Sequence, residues 1–331
     1  MQLTQKKSQR GDLLTAAAVA MLLAVMAALL YTGSLTRQVT NMLIPTAVYI
    51  VMAVSLNLVV GLLGELSLGH AGFMSVGLFS GCLVAIALTN TALPLMVRLP
   101  VSMLAGGLTA AVFGLLVGLP TLRLRGDYLA IVTLACGEII KNIITNLHVT
   151  GGALGLNTTA IYAGAKELLP YGAALVLLTV AVMLNLKRSK YGRAIMAIRD
   201  NRIAAESVGL SVTRYKLAVF VIAAFFAGCA GVLYGHSLAN IKAAAFDYNM
   251  SIEILVIVVL GGMGSVPGSV VSAIVLTVLP EALREVADYR MLVYAVVLIL
   301  VMQATNNPAM KRFFGAACKS LTPKRKERAA L

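Results

Sequence analysis

NMLIPTAVYIVMAVSLNLVVGL, residues 41–62, carries no charged side chain. A run of roughly 20 apolar residues is what an α-helix needs to cross a hydrocarbon layer about 30 Å thick. Runs of similar length and character occupy 13–31, 72–90, 99–119, 128–148, 170–186, 215–237 and 291–306. The run at 13–31 follows Lys6, Lys7 and Arg10. It is too long for the apolar region of a signal peptide, about 7–15 residues, and reads as a retained first span. Residues 251–280 are also apolar, but Gly261, Gly262, Gly264, Pro267 and Gly268 interrupt them. That pattern predicts two short helical segments joined within the membrane. The fold class is therefore all-α: a polytopic integral membrane protein with about eight full spans plus one glycine-broken helix pair, about ten helical segments.

Composition supports this reading. The 331 residues are 60% hydrophobic and 12% charged, against about 45–50% and about 25% in a soluble domain. The formal net charge is +14, but the basic residues sit in short segments between apolar runs. They are not interleaved with aromatics as in a nucleic-acid groove, so nucleic acid is not an expected partner. The four cysteines, Cys82, Cys136, Cys229 and Cys318, are far apart and form no CxxC pair, which argues against a metal site or a disulfide framework.

The basic residues also orient the chain. Most of the 27 Lys and Arg fall at the N-terminus, at Arg123 and Arg125, in 187–216 and in the tail at 307–331. Positive charge is retained on the cytoplasmic side. Both termini, the 187–216 loop and the tail are therefore expected in the cytoplasm, with 150–170 outside and both ends of the broken pair facing outward.

Ionisable residues at membrane depth are costly and mark candidate functional positions. Glu65 and His70 lie in LNLVVGLLGELSLGHAGF, residues 56–73, and Glu253 directly precedes the glycine break. Glu138 and Lys141 are three apart on one helix face and are expected to form a mutually neutralised pair facing the bundle interior, in preference to a substrate contact. Gly151 and Gly152, after Thr150, would present backbone N–H groups suited to a carboxylate, as would a simple turn. The candidate translocation path thus comprises Glu65, His70, Gly151, Gly152, Glu253, Gly261, Gly262 and Gly264.

The loop KRSKYGRAIMAIRDNRIAAESVGLSVTRYK, residues 187–216, is the longest polar stretch. Its middle, 194–209, reads as one helix rich in small residues and ended by Gly209. Such a helix either rests on anionic lipid or docks into a groove on a cytoplasmic partner. The candidate coupling residues are Gly192, Arg193, Ala204, Ala205, Glu206 and Gly209.

In order along the chain, 56–73, TLRLRGDYLAIVTLACGEII at 121–140, TGG at 150–152, GRAIMAIRDNRIAAESVG at 192–209 and SIEILVIVVLGGMGSVPG at 251–268 resemble the permeases of branched-chain amino-acid ABC importers, specifically the M-type subunit of the high-affinity system. The resemblance implies one transmembrane permease domain over 1–331 in a bacterial plasma (inner) membrane. It implies a heterodimer with a homologous second permease, two cytoplasmic ATPase subunits and an external or periplasmic substrate-binding protein. It also places Ala204, Ala205 and Gly209 at the small-residue positions of the coupling loop, although Ile203 stands where a glutamate is common. ATP would be bound by the partner ATPases and no cofactor by this chain, which has no Gly-Lys dipeptide and hence no P-loop. Urea or short-chain amide importers use similar permeases, and an ion-coupled carrier would show its broken helices in both halves. An intramembrane enzyme is not expected: His70, His148 and His236 are the three histidines, and neither HExxH nor GxSxG occurs.

Overall fold

The computed structural model describes residues 36–282 apart from 92, 93, 122, 123 and 125, with scattered positions between 17 and 30 and residue 299. Met1–Val278 forms one compact unit and Leu279–Leu331 a second. The expected spans at 13–31 and 291–306, the basic pair Arg123 and Arg125, and the tail at 307–331 lie wholly or largely outside the described residues.

Helix α1 (Arg37–Asn57) continues into a π-helical segment, Leu58–Leu63. It is followed by α2 (His70–Ala87), α3 (Leu95–Thr121), α4 (Asp127–Asn146) and α5 (Ala165–Arg188). Two short helices, α6 (Lys190–Asp200) and α7 (Arg202–Ser207), lead to α8 (Val212–His236). The described chain closes with α9 (Tyr248–Gly261) and α10 (Val266–Ala282). Seven helical stretches among the described residues are long and apolar enough to cross a membrane, the seventh being 243–261, while 266–280 is apolar but shorter. Strands β1 (Leu156–Asn157) and β2 (Asn240–Ile241) pair antiparallel.

The spans alternate in direction, which gives the bundle two ends. One end gathers the π-helical turn, the α6–α7 segment and the turn between α9 and α10, joined by Arg199 and Lys187. The opposite end carries the strand pair.

Small residues let the central helices touch. A Cβ on Gly77 of α2 would lie 2.2 Å from the Cα of Gly228 on α8, and one on Gly228 would lie 2.7 Å from the Gly106 carbonyl of α3. Helices in lipid associate by such close packing, because the solvent is as apolar as their side chains. Phe73 of α2 packs edge-on against Phe220 of α8, with centroids 5.4 Å apart. Leu104, Leu108, Val112, Leu115 and Leu119 on the open side of α3 are exposed and wholly apolar, as a lipid-facing surface requires.

The glycines of the break form a turn between two helices. Helix α9 ends at Gly261, Gly262 and Gly264 adopt φ of 88° and 82°, and α10 starts at Val266. The two run antiparallel, with the Ser272 hydroxyl donating to the Ile257 carbonyl at 2.6 Å.

The expected single helix over 194–209 is instead two. Asn201 is extended (φ −154°, ψ 102°), and its side chain accepts the Ala204 N–H at 3.0 Å. A short polar side chain that caps a new helix interrupts the old one. Gly209 does end α7, with φ 85°.

Candidate functional site

The end that carries α6 and α7 concentrates the polar contacts. Asn57, completely buried, sits just before the π-helical segment. Its amide donates to the Ser265 carbonyl at 3.1 Å and the Ser269 hydroxyl at 2.8 Å, and its oxygen accepts the Gly264 N–H at 2.7 Å. Gly61 fits against this bond so closely that a Cβ there would lie 2.1 Å from the Asn57 oxygen and 2.2 Å from the Gly264 nitrogen. One side chain thus satisfies the backbone freed by the glycine break, which an apolar surrounding demands.

The loop helices are tied to the same point. Arg199 of α6 lies across Gly64 and donates to the Gly61 carbonyl at 3.0 Å. Lys187 at the end of α5 donates to the Gly264 carbonyl at 3.0 Å. The reversal from α5 into α6 is capped by Ser189, whose hydroxyl accepts the Gly192 N–H at 3.0 Å. Gly192 allows that reversal, since a Cβ would lie 2.0 Å from the Leu186 carbonyl. Arg193 is exposed and donates to the Arg188 carbonyl at 3.1 Å.

Glu65 does not cap a helix end. It forms an ion pair with Lys216, and the two side chains are 14% and 5% exposed. Lys216, the last residue of the polar loop, is carried inward because α8 starts at Val212. A cavity of about 390 Å³ lies beside this pair, lined by Gly64, Arg199, Asn201, Arg202, Ile203 and Glu206 among others.

His70 and Glu253 lie deeper. The His70 ring is buried, with Nε2 2.8 Å from the Ser55 hydroxyl. The neighbouring Ala71 N–H reaches the Ser251 hydroxyl of α9 at 3.2 Å. The Tyr49 hydroxyl donates to Glu253 at 3.3 Å.

Gly151 and Gly152 lie at the opposite end, where their N–H groups are already used. Gly151 donates to His148 at 3.1 Å and Gly152 to Leu147 at 3.2 Å. The Thr150 hydroxyl donates to the Ile144 carbonyl at 2.6 Å, so the TGG stretch finishes α4. The structure therefore joins Glu65 and Gly264 to the coupling segment, places Gly261 against Gly268 instead, and keeps Gly151 and Gly152 apart from them.

On α7, Ala205 is buried against Ile198 and Val212. Its small side chain is used in the loop's own packing and is not presented outward, so Ala205→Arg would have to displace Ile198 or Val212. Ala204 and Glu206 are exposed, Glu206 pairing with Arg202 at 2.8 Å. The apolar side chains that face outward are Ile203 and Val208, each 80% exposed. Asn57, Arg199, Lys187 and Lys216 escaped the sequence reading as functional residues, because each acts through a partner far away in the chain. Asn57, polar inside an uncharged run, was the available signal.

Helix α4 has an open face unlike that of α3. Ile131, Ala135, Asn142 and Asn146 are exposed, and Glu138 and Lys141, in contact with each other, are 27% and 19% exposed. The Tyr248 N–H, at the start of α9, donates to the second Glu138 oxygen at 2.9 Å. A charge facing lipid at span centre costs about 2.5–3.5 kcal/mol even on insertion scales.

Comparison with known proteins places these features in a family. The family described as "Branched-chain amino acid transport system / permease component" matches residues 38–302. The high-affinity branched-chain amino acid transport system permease protein LivM of Salmonella typhimurium is 36% identical over 296 residues, covering 78% of this chain and 66% of its own length. LivM of Escherichia coli K12 is 37% identical over 290 residues, with the same coverages. The chain thus spans just under two thirds of these relatives. The permease protein LivH of the same type of system in S. typhimurium is 31% identical over 126 residues, 37% of this chain and 40% of its own. No solved structure matches.

Proposed function

The chain belongs to the family of branched-chain amino-acid transport permease components, and from that premise we propose that it is the membrane-spanning permease subunit of an ATP-driven importer for branched-chain amino acids. The relatives matched over most of the chain are named permease proteins of a high-affinity branched-chain amino acid transport system. The observation that carries the mechanism is the junction at Gly61. There Arg199 of the loop, the end of α1 and the Gly264 turn meet within hydrogen-bond distance. A push on α6 and α7 reaches the α9–α10 turn through two bonds rather than through a flexible linker.

In this reading one permease domain forms a heterodimer with a homologous permease, as the similarity to LivH supports. Two cytoplasmic ATPases bind and hydrolyse ATP, and an external binding protein delivers substrate. This chain carries no cofactor and performs no chemistry. It lies in the plasma membrane with the α6–α7 end and both termini cytoplasmic. Eight full spans and the broken pair satisfy that orientation. Closure of the ATPases shifts a two-state bundle between inward and outward openings.

Ile203 and Val208 are the docking surface, since large exposed apolar side chains on a polar loop are otherwise a liability. Ile203→Glu with Val208→Glu should lower ATPase co-purification about 10-fold or more, with insertion unchanged. Retention of the ATPases by this variant would remove α7 from the interface. The function itself is tested in proteoliposomes that contain the complete complex. ATP-dependent uptake of L-leucine is expected. Uptake of urea in its place would reassign the substrate, and uptake without ATP would refute the importer reading.

A further inference from the structure

We propose that the open face of α4 binds the charged groups of a zwitterionic α-amino acid, Glu138 receiving the ammonium and Lys141 the carboxylate. The proposal rests on the permease reading and names, within it, where this chain meets its substrate.

Three observations converge on these two residues. The first is depth: at 1.5 Å per residue, Glu138 is about 16 Å along the axis from Asp127, well inside the span. The second is direction. Five positions on the open face of α3 are apolar, whereas α4 exposes Asn142, one turn before its end, and the partly exposed ion pair among the apolar Ile131, Ile139 and Ile143. Polar residues at span depth face a water-filled path or another protein surface, not lipid. The third is how the carboxylate is held. Glu138 accepts the Tyr248 N–H in the exposed first turn of α9, whose N-terminus is capped by the Asp247 carboxylate and which meets α2 where Ser251 reaches Ala71. Lys141, on a flexible stem, holds only the other oxygen.

A zwitterion can therefore open the pair without leaving either charge unpaired. Its ammonium replaces Lys141 at Glu138, and its carboxylate takes the freed Lys141. A substrate with one charge would strand one member of the pair, so the same geometry discriminates against simple amines and simple acids. Ile139 and Ile143, both exposed beside this face, offer apolar surface to an aliphatic side chain.

The test uses the full complex in proteoliposomes, in a background with the native cysteines replaced. Asn142→Cys on this face and Val112→Cys on the apolar face of α3 are treated with a charged, membrane-impermeant thiol reagent. We expect Cys labelling at 142 to be at least about 10-fold faster than at 112, and to be slowed by L-leucine but not by acetate or methylamine. Equal labelling at the two positions, or protection by none of the zwitterions tried, would overturn the proposal. The second variant is Glu138→Met with Lys141→Met. A pair that serves only structure tolerates replacement by apolar residues of similar length. A pair that reads substrate does not, and uptake of L-leucine should fall about 10- to 100-fold while the complex assembles and hydrolyses ATP. Wild-type uptake by this double variant would refute the site. If the wild-type complex carries no L-leucine, the importer reading fails by itself. The labelling arm, run with glycine and other zwitterions, then still decides whether the face binds amino acids.

Discussion

Glu65→Ala is expected to destabilise the protein by about 3–5 kcal/mol. The reason lies in what remains. Lys216 is 4% exposed and Glu65 is its ion-pair partner. Removal of Glu65 leaves a buried ammonium beside a truncated side chain. The double variant Glu65→Met with Lys216→Met removes both charges and keeps the volume, so it should recover most of the loss. Thermal unfolding of the purified chain in detergent measures both. A single variant as stable as the double would show that the pair is solvated and unimportant.

Gly61→Ala should abolish uptake while the chain still inserts. One methyl group would overlap the Asn57 oxygen and the Gly264 nitrogen, each within 2.2 Å. The overpacking costs about 1–3 kcal/mol, and loss of the Asn57 to Gly264 bond leaves buried polar groups unpaired at about 1–3 kcal/mol more. Because the Gly61 carbonyl also receives Arg199, the same methyl disturbs the link to α6. The partner experiment is Arg199→Met, which leaves the glycine contact alone. It should keep ATP hydrolysis and lose uptake about 10-fold. Uptake by Gly61→Ala at the wild-type rate would mean that the α1 to α9–α10 contact is not part of the transport cycle.

The spans were legible because membrane thickness imposes a length that sequence displays directly. From α1 through α8 each expected apolar run became a helix, and the glycines at 261–264 became a turn. Long-range pairing was not legible. Glu65 carries no mark that Lys216 is its partner, and Lys216 reads as one more basic loop residue until α8 is seen to draw it inward. Ala205 was ambiguous for a different reason. A small residue on a polar helix signals a close approach but not by whom, and here the neighbours are Ile198 and Val212 of the same loop. Asn201 was readable as a helix start, since Asn ahead of Arg202 and Ile203 has the chemistry of an N-cap. The small helix-compatible residues on both sides of it obscured that signal. Glu138 and Lys141 do form the expected pair, but the expectation that it faces the bundle interior is corrected, since both side chains are partly exposed on the open face of α4.

The non-helical segment 64–69 between the π-helical turn and α2 bears on how the chain is made. Its Leu68 N–H is satisfied by the Thr133 hydroxyl of α4, and the Ala71 N–H just beyond it by the Ser251 hydroxyl of α9. Both partners are synthesised later than the groups they serve. The segment that joins α1 to α2 therefore takes its final hydrogen bonds only after α4, and for Ala71 only after α9, has been made, which leaves this end of the bundle among the last parts of the fold to close.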